Sequence, residues 1–349
     1  MGQAFTIYNC GTNFHRDSND AVAKLWRLTL QHECMITDGP GSGTWKPSFF
    51  GGRSNPGGAT KLGGLLFGTG ADKNVEGAIR ILAGIKPLPR IVNLCGWSRG
   101  GVTCAKIANM MHRMGPPFSL IKVNVFAIDP VPGSNAGSGS MWQHITLTQN
   151  IVYYHALLAQ HDMRGVDDFF QPTYPSHSGT TKVDVDIMPG SHSSILVFKG
   201  GKQETAELTM DTAKRFLKSH GTQFTDESLY STNDILRRYG LIQEDFPYYS
   251  KLKGKNLVNI ESLKRVVMDS GKTVVGSLSM AKPRFFINEH HRETFRLLYP
   301  SLTSEIDRQS PAKPFIAATM RSWMPELDRL MAANVEQARP LLAFAMLNR

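Results

Sequence analysis

The stretch Cys95-Gly96-Trp97-Ser98-Arg99-Gly100 holds a serine between two glycines in a G-x-S-x-G pattern, directly after the apolar run Ile91-Val92-Asn93-Leu94. A serine in that setting is a nucleophile when the chain turns sharply from strand into helix. Its Oγ then stands clear of the backbone above the helix N-terminus. The following residues, Gly101 to Met111, are small beside the turn and then apolar at helical spacing, so strand, turn and helix come in the required order. Ser98 is the candidate nucleophile, and the chemistry it offers is acyl transfer through a covalent serine intermediate.

Such a serine needs a base to take its proton, an acid to orient that base, and donors for the oxyanion that forms. His192 lies in Pro189-Gly190-Ser191-His192-Ser193, after the alternating run Lys182 to Met188, and is the candidate base. Of the other histidines after the serine, His155 falls inside an apolar strand and reads as a core residue, while His161 and His177 fall in polar connections open to solvent. Asp129, which ends the apolar run Leu120 to Ile128 just before Pro130, is the candidate acid; Asp162 is the alternative, followed by Asp167 and Asp168. The backbone N–H of Arg99 and an amide of the Gly11-Thr12 turn are the candidate oxyanion donors.

These residues need a frame. A first strand is predicted over Phe5 to Asn9 and a helix from about Asp20 through Leu30. Another helix follows over Val75 to Leu82, with further strands over Leu120 to Ile128, Ile151 to Ala156 and Lys182 to Met188. Alternation of β and α with chemistry at the strands' carboxyl ends predicts a doubly wound, mostly parallel α/β sheet. Residues 38 to 74 are glycine-rich and read as loop; Gly68-Thr69-Gly70 lacks the Lys-Ser or Lys-Thr of a phosphate-binding loop. From about Thr222 the pattern changes to helices broken by Gly and Pro, over Asp234 to Tyr239, Ile260 to Asp269, Asn288 to Leu298 and Trp323 to Leu347. The reading is a catalytic domain over 1–220 and a helical companion or lid over 221–349, with Lys264-Arg265 on a solvated charged face.

At 349 residues, 41% of them hydrophobic, the chain has ample material for a core, which excludes wholesale disorder. The net charge of +10 is scattered, with no arginine-rich helix or basic tract, so nucleic acid is not the expected partner, while an anionic lipid surface is compatible with it. Cys10, Cys34, Cys95 and Cys104 have no C-x-x-C spacing and read as buried thiols of a reducing compartment. The neighbours His290 and His291 would point about 100° apart on a helix. Neither metal nor cofactor is expected. The absence of an apolar leader of signal-peptide length suggests synthesis in the cytoplasm, with any export by a specialised secretion machine.

Six blocks in order, across roughly residues 5 to 195, resemble the microbial α/β-hydrolase family of uncharacterised domains that includes type VI secretion phospholipase effectors. Tyr8 to Asn13 is similar to its opening Asp-Gly-Thr-x-Asn turn, with Cys10 where the family has Asp. Pro40 to Thr44 resembles its Pro-Gly-x-Gly-Thr segment, and Gly96 to Gly100 its Gly-Phe-Ser-Arg-Gly elbow. Ile128 to Val131 resembles its Phe-Asp-Thr-Val, Tyr154 to Leu157 its Tyr-His-Ala-Leu, and Pro189 to His192 its Pro-Gly-x-His. The resemblance implies an α/β-hydrolase fold and a serine esterase or lipase, with Ser98 as nucleophile, His192 as base and Asp129 favoured over Asp162 as acid. It also implies an acyl-lipid or phospholipid substrate and a bacterial effector acting at membranes. Two departures, Cys10 and the replacement of the family's glycines by Ser193-Ser194-Ile195, keep a rival open: a hydrolase-fold scaffold binding a protein partner through the helical region.

Overall fold

A computed structural model describes residues 4–42, 71–133, 146–162, 171–271 and 273–280. The expectations for Asp167, Asp168, Gly68 to Gly70, His290, His291 and the helices after 280 lie outside the described residues. In chain order the elements are β1 (Ala4–Asn9), α1 (Ala21–Leu28), β2 (Cys34–Thr37), α2 (Ala71–Gly84), β3 (Ile91–Trp97), α3 (Arg99–Arg113) and β4 (Lys122–Ile128). They continue with β5 (Thr146–Leu147), β6 (Ile151–His161), β7 (Ser176–His177), β8 (Lys182–Ser191), α4 (Glu204–Ser219) and α5 (Thr232–Glu244). The short helices α6 (Phe246–Ser250) and α7 (Lys255–Val258) and the strands β9 (Lys264–Met268) and β10 (Val274–Ser279) close the series.

Six strands form one sheet in the order β2-β1-β3-β4-β6-β8, and every neighbouring pair is parallel. The architecture is α/β and doubly wound. Parallel strands covered on both faces read as continuous apolar runs, and alternate side chains feed two core layers. Tyr8, Cys95, Trp97, Phe126, Ile128 and Leu157 point to one layer, where α1, α4 and α5 pack. Ile7, Val92, Leu94, Val123, Val125 and Leu158 point to the other, under α2 and α3. All four cysteines are buried free thiols.

From β1 the chain moves outward to β2, then returns to lay β3 on the other side of β1. That reversal opens a crevice between the carboxyl ends of β1 and β3, the place where open α/β sheets bind ligands. The Gly11-Thr12 turn and Ser98 both lie there.

Residues after 221 join the same core. Phe224, Ile235, Tyr239, Ile242 and Tyr249 belong to the first layer. The Thr222 hydroxyl bonds Thr6 Oγ1 at 2.8 Å and takes Asn93 Nδ2 at 2.9 Å, and Asn124 Nδ2 donates to Asn93 Oδ1 at 3.0 Å, so a buried polar ladder ties the sheet's amino end to the segment after α4. The helix expected over Ile260 to Asp269 is not what forms. A 3-10 turn over Ile260–Ser262 leads into β9, which pairs antiparallel with β10. Valine pairs on both sides of Asp269-Ser270-Gly271 favour a pleated hairpin over a helix. Among the described residues no helix is long and apolar enough to cross a membrane.

Candidate active site

Ser98 sits between β3 and α3 with φ 56° and ψ −126°, a conformation that costs a non-glycine residue about 1–3 kcal/mol. Both flanking glycines are required by packing. A Cβ on Gly96 would stand 2.4 Å from the Gly100 carbonyl oxygen, and one on Gly100 would stand 2.2 Å from Asn9 O and 2.6 Å from Cys10 O. The strained turn is held by Ser98 N–H donating to Ile128 O at 2.9 Å, and by Gly101 N–H donating to Ser98 O at 3.0 Å.

Three residues far apart in sequence meet at this turn. His192 Nε2 lies 3.0 Å from Ser98 Oγ, and its Nδ1 lies 2.5 Å from Asp129 Oδ2. All three are buried. Asp129 follows β4 at a φ of 40°, and its Oδ1 accepts the Ala159 N–H at 3.0 Å. With Nδ1 facing a carboxylate, Nε2 is left to accept a proton from the serine. The carboxylate on the imidazole is therefore Asp129, from the strand next to the elbow strand.

Trp97 and the following turn hold the histidine in place. The Trp97 indole N–H donates to the His192 carbonyl at 3.2 Å, and the two rings lie with centroids 4.7 Å apart at a tilt of 30°. Phe14 meets Trp97 edge-on at 4.8 Å. After His192, Ser194 Oγ accepts the Ser191 N–H at 2.7 Å and donates to Tyr249 O at 2.9 Å, which fastens the turn to α6. Ser194 thus has a structural use in this turn.

Arg99 opens α3, so its N–H belongs to the first helical turn, which has no intrahelical acceptor. Its guanidinium is buried, and burial lowers its pKa to about 10. Arg99 Nη1 donates to Thr12 Oγ1 at 2.7 Å, tying the Gly11-Thr12 turn to the elbow. The residue that carries one candidate oxyanion donor is therefore bonded, through its side chain, to the turn that carries the other.

The structure adds a residue that the sequence reading placed on a solvated face. Arg265 of β9 is 2% exposed, and its fork grips Asp129, Nη1 to Oδ1 at 2.8 Å and Nη2 to Oδ2 at 3.0 Å. Burial would raise the Asp129 carboxyl, but the Arg265 charge and the His192 hydrogen bond outweigh it and hold the carboxyl down at about 2. No local signal marks Arg265, because its partner is 136 positions away.

His161 departs from the exposed connection expected for it. It ends β6, fully buried, taking the Gly190 N–H on Nδ1 at 3.2 Å and facing Met280 O with Nε2 at 3.1 Å. Burial lowers its pKa to about 3, so it stays neutral. His155 is a partly buried strand residue bonded to Asp186 at 3.0 Å, and His177 is exposed. Among the described residues no cluster of three His, Cys, Asp or Glu side chains is arranged to hold a metal. An open groove of about 850 Å³, bordered by Leu88, Pro89, Pro117, Leu120 and His220, lies at the strands' amino ends, a strand length from Ser98.

No protein-family model matches the chain. No curated protein matches either. Among solved structures the chain is similar to an uncharacterized protein from Pseudomonas aeruginosa, at 13% identity and a TM-score of 0.41, over 97% of this chain. The chain spans 63% of the length of that protein.

Proposed function

We propose that the protein is a serine hydrolase of carboxylic esters, using Ser98, His192 and Asp129 as a catalytic triad. The observation that carries this reading is the continuous buried chain from Ser98 Oγ through both nitrogens of His192 to Asp129, at 3.0 and 2.5 Å. In the reaction, Oγ attacks the ester carbonyl carbon while its proton passes to His192 Nε2. The carbonyl π electrons move onto oxygen, where the Arg99 amide and an amide of the Gly11-Thr12 turn stabilise the negative charge. Collapse expels the alkoxide, which takes the proton from His192 and leaves an acyl-serine. Water then attacks the acyl carbon, giving its proton to His192, and the carboxylic acid leaves as Ser98 is restored.

Acyl lipid or phospholipid is the proposed substrate class, resting on the resemblance of the six sequence blocks to α/β-hydrolases that include phospholipase effectors. Export by a specialised secretion system rests on the same resemblance. The test is labelling of the full chain with a fluorophosphonate, beside Ser98→Ala and His192→Ala, followed by hydrolysis of short-chain esters and phospholipid vesicles. The wild type is expected to label, Ser98→Ala not at all, and His192→Ala at a rate lower by several orders of magnitude. Labelling that survives Ser98→Ala would refute the triad.

A further inference from the structure

We infer that Arg265 is a positioning residue of this site, resting on the serine-hydrolase reading: its guanidinium fork fixes the plane of the Asp129 carboxylate so that Oδ2 is aimed at His192 Nδ1. Each carboxylate oxygen has two donors. Oδ1 takes Arg265 Nη1 at 2.8 Å and the Ala159 N–H at 3.0 Å; Oδ2 takes Arg265 Nη2 at 3.0 Å and faces His192 Nδ1 at 2.5 Å. Arg265 Nη1 also donates to Ala159 O at 2.5 Å, so the fork is itself registered on β6. Rotating the carboxylate would break a two-pronged ion pair that only a planar guanidinium makes.

The hairpin bearing Arg265 has anchors of its own. Met268 N–H donates to Pro172 O at 3.0 Å, Tyr174 N–H to Met268 O at 2.8 Å and Gln160 Nε2 to Ser279 O at 3.0 Å, while His161 Nε2 faces Met280 O at 3.1 Å. These bonds hold β9 and β10 on the ends of β6 and its neighbours without the guanidinium. Arg265 is therefore separable from the docking of the hairpin.

The charge has a second consequence. Around the Asp129 carboxylate stand Arg265 from β9, His192 from the turn after β8 and, near Arg265, His161 from the end of β6, which burial keeps uncharged. Arg265 thus keeps Asp129 ionised in a dry site. Without it, the Asp129 carboxylate is protonated more easily, and the serine is activated only at higher pH.

The experiment compares the wild type, Arg265→Gln and Arg265→Lys in the full chain. It measures the second-order rate of fluorophosphonate labelling from pH 4 to 9 and, by NMR, the hydrogen-bonded Nδ1 proton of His192. In Arg265→Gln the rate at pH 7 is expected to fall by about tenfold to a hundredfold. The acid limb of its profile should move up by about one pH unit. Arg265→Lys keeps the charge without the fork, so its acid limb stays near that of the wild type while its rate remains depressed. The Nδ1 proton should shift or broaden in both variants. Should Arg265→Gln not fold, the lysine variant decides: a wild-type rate with an unmoved Nδ1 proton overturns the inference. If the wild type itself does not label, the hydrolase reading falls, and the Nδ1 proton still reports whether Arg265 orders the Asp129–His192 pair.

Discussion

Gly100→Ala sets two physical effects against each other inside the elbow. In a free helix the change is favourable by about 1 kcal/mol. Here the new Cβ would lie 2.2 Å from Asn9 O and 2.6 Å from Cys10 O, whereas ordinary van der Waals contact begins near 3.4 Å, so backbone must yield by about 1.2 Å. The end of β1 cannot yield freely: Cys10 N–H donates to Thr37 O at 3.0 Å, Asn9 Oδ1 accepts the Thr37 hydroxyl at 2.7 Å, and Asn9 Nδ2 donates to Cys104 Sγ at 3.2 Å. Overpacking of this kind costs about 1–3 kcal/mol, enough to cancel or exceed the gain in propensity. The displacement falls on either the Gly11-Thr12 turn or Ser98, and a misplacement of about 1 Å costs on the order of a hundredfold in rate. Thermal unfolding and the fluorophosphonate labelling rate measure the two effects separately. Gly84→Ala, at the end of α2 with nothing within 4 Å, is the control and should unfold no earlier than wild type. A Gly100→Ala protein as stable as wild type and labelled at the same rate would refute the packing argument.

Asp129→Asn keeps the shape of the side chain but leaves the Arg265 guanidinium facing a neutral group; labelling should fall by about 10³–10⁴-fold and stability by about 3–5 kcal/mol. Because the Asp129 carboxyl is held at about 2, below its ordinary 3.8, its stabilisation is complete above the ordinary value and is lost as pH falls through 2. The gap between the denaturant midpoints of variant and wild type should therefore narrow only in that acid window. Asp20 has the opposite sign. It caps α1 by accepting the Ala23 N–H at 3.0 Å, and burial pushes its carboxyl up to about 6, so its contribution is greatest below 3.8 and declines as pH rises through 6. Asn caps a helix equally well. Asp20→Asn should therefore gain on wild type by roughly 2.4 kcal/mol between pH 4 and pH 8, at about 1.4 kcal/mol per unit of pKa shift; a urea midpoint difference that stays constant across that range would contradict the buried-charge reading.

Much of the site was legible in the chain because its determinants are local. The elbow needs an apolar strand, two glycines and a helix start within about fifteen residues, and the contacts at Gly96 and Gly100 show what each glycine is for. Asp129 was marked by ending an apolar run before Pro130, and His192 by following an alternating run and Pro189-Gly190. Strand ends ran longer than expected: β6 continues to His161, past the predicted Ala156, because its far half is covered by α6 and the β9–β10 hairpin. The helix expected over 260 to 269 failed where two valines and a Ser-Gly turn already favoured a hairpin.

The sequence by itself determined the turn that carries Ser98, the alternation of strands and helices, and a short set of candidate bases and acids for that serine. Those features depend on backbone geometry and side-chain period over a few residues, and both are written in the residues themselves. Only the tertiary structure decided that Asp129 is the carboxylate on His192, that His161 is buried and neutral, and that Arg265 grips the acid. Each of these outcomes depends on which strand ends become neighbours. Sheet order β2-β1-β3-β4-β6-β8 puts the ends of β3, β4, β6 and β8 side by side, so side chains from four strand ends and a distant hairpin share one dry site, where their charges act on one another more strongly than in water.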